Sequence, residues 1–182
     1  MKKIKLLLLI VFILFPLKLN ALIEVDITRG NLNPLPIAVS ALYADKDTKE
    51  ILKKEIKIDQ IGYEISSVIE NNLKATGLFN PLEKKAFLQK PDVAHLKPRF
   101  EDWSLIKAQA LITGKVEFKD DKVRVEFRLW DVLAAREMLA LAFTTVPNNW
   151  RRIGHIISDK IYERLTGEKG YFDTRIIYVS EE

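Results

Sequence analysis

The chain has 182 residues, of which 48% are hydrophobic and 30% charged, a balance that excludes a disordered or fibrous protein and suits one compact domain with appendages. Its formal charge of +4 points to a nucleic-acid or membrane partner only until the charges are placed. Lys2, Lys3, Lys5 and Lys18 are the only charged residues before Leu22, and the 29 basic residues less these four leave 25 against 25 acidic ones, so the rest of the chain is neutral.

The lysines at the start, the apolar run from Leu6 to Leu17 and the small residue Ala21 have the layout of a secretory signal peptide over residues 1–21. A membrane anchor fits less well. At about 1.5 Å per helical residue the run reaches only about 18 Å, against a hydrocarbon core of roughly 30 Å, and Pro16 interrupts it. Export to an oxidising compartment adds no disulfide, because the chain has no cysteine, so the fold must rest on its core.

Residues 22–36 begin with alternating Ile23, Val25 and Ile27 and continue through Gly30, Asn31, Asn33, Pro34 and Pro36, which predicts a strand-forming arm on a turn-rich tether. The domain proper is expected over 37–167. Ile37 to Leu42 reads as a buried strand, and the charge-dense stretch Asp45 to Lys57 as a solvated loop or loose helical turn. Asp59 offers a cap to an amphipathic helix carrying Ile61, Ile65, Val68, Ile69 and Leu73, ended near Gly77. Pro81 makes Leu78 to Phe87 an edge strand or extended connection, and a shorter helix is expected from Phe100 to Gln109.

From Ala110 the period changes to two. Ile112, Val116 and Phe118, an Asp120-Asp121 turn, and Val123, Val125, Phe127 and Leu129 predict an antiparallel hairpin with one wet face, and a third strand from Arg136 stops before Pro147. Asn148 or Asn149 would cap a long helix with the stripe Trp150, Ile153, Ile157, Ile161 and Leu165, stopped by Gly167. The expected class is α+β: a small mixed or antiparallel sheet with two main helices on one face. Beyond it, residues 168–182 form a linker and a strand, Ile176 to Ser180, with no visible partner.

Motifs for chemistry are sparse. His95 and His155 are far apart, so a metal site is not expected. Thr113-Gly114-Lys115 lacks the first glycine and the final Ser or Thr of a phosphate-binding loop. Ser104 and Lys107 spell S-x-x-K, the pattern of some serine hydrolases, without companion motifs. Lys122, Arg124 and Arg128 would serve an RNA-binding face, yet Glu117 and Glu126 interrupt it. No cofactor is implied. What is left is the arm, which a partner could capture by strand addition or which could pair with its own domain.

Leu78-Phe79-Asn80-Pro81-Leu82, Trp150-Arg151-Arg152 with His155, and "SDKIYERLTGEKGYFDTRIIYVS" over Ser158 to Ser180 resemble the TolB family of the Tol-Pal envelope system. The resemblance implies a periplasmic, non-enzymatic protein whose N-terminal α/β domain is followed by a six-bladed β-propeller. It implies a link between the inner-membrane protein TolA and the outer-membrane lipoprotein Pal, in support of outer-membrane integrity and invagination during cell division. The TolA contact would fall on Leu22, Ile23, Glu24, Val25, Asp26, Ile27, Thr28, Arg29 and Gly30. The Pal surface of the family lies on the propeller, whose first strand would begin at residues 168–182, so a truncated bridge without Pal binding, or a non-functional remnant, is the corresponding expectation.

Overall fold

The computed structural model describes Ile23, Val25 and residues 33–57 and 60–174. In chain order these form β1 (Leu35–Val39), β2 (Tyr43–Ala44), α1 (Lys46–Ile56), α2 (Ile61–Ala75), β3 (Phe79–Pro81), α3 (Pro91–Ala94), α4 (Phe100–Leu105), β4 (Ala110–Lys119), β5 (Lys122–Asp131), β6 (Arg136–Thr145) and α5 (Trp150–Thr166). The sheet runs β3-β1-β4-β5-β6, with β2 pairing β4 beside this path. Strand β1 is parallel to β3 and β4, while β4, β5 and β6 form an antiparallel meander, so the sheet is mixed and the fold is α+β.

The long helices follow their stripes. Ile61, Ile65, Ile69 and Leu73 on α2, and Ile153, Ile157, Ile161 and Leu165 on α5, bury against Ile37, Val39, Ile112, Val125, Phe127 and Leu129. Fully burying such side chains is worth about 1.5–3 kcal/mol each, which makes this layer the main source of stability. The hairpin between β4 and β5 turns on Asp120 and Asp121, both at positive φ, as a two-residue connection between twisted strands requires.

Three expectations need correction. Asp45 to Lys57 is not a loop: Asp45 accepts the Thr48 N–H at 2.7 Å, and Lys57 in the left-handed region closes a full helix, α1. Among its apolar residues only Leu52 is fully buried, so the hydrophobic period is too weak to read. Helix α4 ends at Leu105 rather than Gln109, because Lys107 turns left-handed and the Gln109 N–H already pairs with Pro36 O across the sheet. Asn149 flanks α5 without a side-chain capping bond, the 3-10 turn Pro147–Asn149 serving as the entry instead.

The two main helices, α2 and α5, share one face of the sheet as expected, and the short helices α3 and α4 cover the other. Ala38 and Leu111 point to the opposite side and meet Trp103, Ala94, Ala108 and Val132, a small second core under residues 82–109. Gln89 makes it tolerable to the polar groups there, accepting from Trp103 Nε1 at 3.1 Å and the Arg99 N–H at 2.9 Å and donating to Lys97 O at 3.0 Å. Asp59 and Ile176 to Ser180 lie outside the described residues.

Candidate functional site

Helix α5 is the platform on which both ends of the described chain converge. Its last carbonyls lack intrahelical partners by construction, and Gly167 at φ 77 returns its N–H to Glu163 O. Leu165 O accepts the Val25 N–H at 2.7 Å. Val25 is only 5% exposed and belongs to the main core, while Ile23 packs on it half-buried. Ile23 and Val25, two residues apart, both pack against the body of the domain. Leu22, Glu24, Asp26, Ile27, Thr28, Arg29 and Gly30 fall outside the described residues.

After Gly167 the chain folds back along α5. Asp159, on the helix, accepts the N–H groups of Phe172 at 2.7 Å and Asp173 at 3.1 Å. Arg152, about two turns earlier, holds Asp173 in a bidentate pair with both bonds at 3.0 Å. The Tyr162 ring meets Tyr171 at 5.6 Å and Phe172 at 6.0 Å edge-on, and burial pushes its phenol above the ordinary value. Gly170 lies so close to the helix that a Cβ there would overlap Asp159 Cα. Residues 168–174 are therefore a strap, and Asp159, Arg152 and Tyr162 are its fastenings.

The remaining singled-out residues do not converge. Ser104 lies exposed in the last turn of α4, and Lys107, left-handed and two residues past the helix end, is also exposed. Thr113-Gly114-Lys115 is the middle of β4, where Thr113 Oγ1 accepts from Trp130 Nε1 at 2.9 Å. His95 stacks on Tyr43 at 4.5 Å, whereas His155 Nδ1 lies 2.9 Å from Asn72 Nδ2 between α2 and α5. Among the described residues no group of His, Asp and Glu is disposed to hold a metal ion. The hairpin charges form a mixed ladder, with Lys115 on Glu117 at 2.7 Å, Arg124 on Glu126 at 2.8 Å and Arg128 near Glu137 at 3.7 Å. Hydrogen bonding from Arg124 holds the Glu126 carboxyl below its ordinary value. A cavity of about 180 Å³ beside His95 and Leu96 opens onto this ladder.

Residues 23–138 match the family model of the TolB amino-terminal domain. The chain belongs to the TolB family. A curated relative, the Tol-Pal system protein TolB of Pelagibacter ubique (strain HTCC1062), is 75% identical over 173 residues, 95% of this chain and 39% of the relative. In the crystal structure of TolB from Acinetobacter baumannii the same fold recurs at a TM-score of 0.61, with 22% identity over 78% of this chain and 30% of that one. The chain therefore spans about two fifths of the curated TolB it matches and less than a third of the solved one.

In this TolB domain, reading the sequence alone missed the strap. Tyr171 and Phe172, two aromatic residues just past a helix stop, are the signal that could have found it, since large rings seldom trail free in water. Asp159 carries no comparable signal, being one carboxylate among many on a polar helix face. Among the described residues no helix is long and apolar enough to cross a membrane.

Proposed function

We propose that this chain is a periplasmic adaptor of the Tol-Pal system that presents its arm, Leu22 to Gly30, to TolA. Its role is binding rather than catalysis, and it would support outer-membrane integrity and cell division by joining TolA to whatever the longer TolB relatives hold. Pal would be engaged outside this domain, and no residue described here is assigned to it. The observation that carries the reading is the seating of the arm's described residues: the Val25 N–H donates to Leu165 O, and Ile23 and Val25 pack against the body.

An arm held this way can change partners. Strand addition to TolA would reuse the same main-chain groups and offer Ile23, Val25 and Ile27 to pockets of that partner. The bound state must first release Val25 from the core, so the apparent affinity is the intrinsic one scaled by the fraction of chains whose arm is free. Titration calorimetry of the chain with TolA tests this: heat of binding is expected with the arm present and none after deletion of residues 22–30. Binding retained by the deleted chain would overturn the assignment.

A further inference from the structure

We infer that the open edge of β6 is an interface between two copies of this chain. The two edges of the sheet differ. Strand β3 is short and contains Pro81, which blunts it, whereas β6 is ten residues long and among the described residues pairs with β5 alone. A bulge leaves Met138 without a partner on β5, and Arg164 Nε donates to Met138 O at 3.3 Å, so that end of the edge is occupied. The run Leu139 to Thr145, "LALAFTT", carries no charge and no proline before Val146-Pro147 ends it. Natural edges of this length normally carry such devices.

The run fits a second copy of itself. Leu139, Leu141, Phe143 and Thr145 lie opposite buried Leu129, Phe127, Val125 and Val123, so they share the helix-covered face, and Ala140, Ala142 and Thr144 share the wet one. Directly opposed residues in an antiparallel pair must lie on the same face. An axis through Ala142 satisfies this for every residue of the run, setting Leu141 against Phe143 of the other copy, Leu139 against Thr145, and Ala140 against Thr144. Leu141 is 37% exposed and Phe143 half-buried in the single chain, and this pairing covers both. The two-fold axis also closes the assembly, where a parallel addition would leave a fresh edge at each step. One strand pair with small side chains falls below the roughly 1,200 Å² of stable complexes, so the dimer is expected to be weak and to form with rising concentration.

Sedimentation velocity of the chain without residues 1–21, from micromolar to millimolar, is the test. The weight-average mass should climb toward twice that of one chain. Ala142→Lys, which sets two like charges on the axis from an exposed position, should hold the mass at one chain with an unchanged melt; Ala142→Glu should do the same, and the two variants mixed should regain the double mass. A wild-type chain that stays single throughout overturns the proposal. So does association that survives Ala142→Lys, or that vanishes when residues 175–182 are removed, since either outcome moves the contact away from β6.

Discussion

Two segments meet on α5, and their described residues are held in different ways. Among the described residues, the arm is seated by the burial of Val25 and Ile23 and by the bond from the Val25 N–H to Leu165 O, a bond that water can replace once the arm lifts. The strap over residues 168–174 is gripped at three levels: a carboxylate receiving two N–H groups, a bidentate ion pair and an aromatic cluster around Tyr162. Among the described residues, the end proposed to bind a partner is seated chiefly by apolar burial, and the other end chiefly by directional bonds. The end that carries the chain onward is fixed by charge-assisted bonds, so whatever follows residue 174 leaves from a set point near Arg152.

The largest effect should come from the strap. Asp159→Ala removes two backbone bonds to a charged acceptor, each worth about 1.5–3 kcal/mol, and with the strap partly exposed a total loss of about 2 kcal/mol is expected in thermal melts. Hydrogen exchange should accelerate at the Phe172 and Asp173 amides and not at Val25. Equal acceleration at all three would mean that arm and strap open as one unit. Val25→Ala comes next, deleting about two methyl-sized groups from a buried site for roughly 1.5 kcal/mol. Its exchange pattern should be the reverse, fast at Val25 and unchanged at Phe172. A higher affinity for TolA should accompany it if the arm must leave the core to bind, unless the lost methyls are themselves needed by the partner, in which case the affinity falls and the arm assignment still stands on the deletion of residues 22–30.

The legible part of the fold was the part with a period. The stripes of α2 and α5 and the alternation of β5 bury one face each, so their spacing survives into the structure residue by residue. Helix α1 was not legible because its buried side carries only Leu52 and the polar Thr48, with Ile56 partly covered, and its start is marked by the Asp45 cap rather than by a hydrophobic period. The second core was half legible: the continuous apolar run of β1 shows that Ala38 needs cover as well as Ile37, and a helix from Phe100 could be expected, but its short apolar pattern does not say that Trp103 supplies that cover. The arm could be singled out from Ile23, Val25 and Ile27, while its seat on Leu165 O could not, since a carbonyl at a helix end has no sequence signature. The strap escaped for a related reason, because the Asp159 bonds go to backbone N–H groups that any residue could supply, and Arg152 and Asp173 are 21 positions apart in the sequence.

The smallest expected effect separates the two segments by pH. Tyr162 lies under the strap with its phenol pushed upward, chiefly by burial and further by the neighbouring Tyr171 and Glu168. The protonated, neutral phenol is the form the fold prefers, so between the unfolded and folded values the native state binds more protons than the unfolded one. The contribution is fully present below the ordinary phenol range and is lost as pH rises through the raised value. Melting temperature should therefore fall on the alkaline side in the wild type and fall less in Tyr162→Phe, which keeps the ring contacts and removes the titration. Exchange at Phe172 should track that fall. Tyr162 also meets Phe79 at 6.3 Å on the core side, so a matching change at Val25 would show that the ring transmits the loss from the strap to the arm, and an unmoved Val25 that the two segments are independent users of one helix.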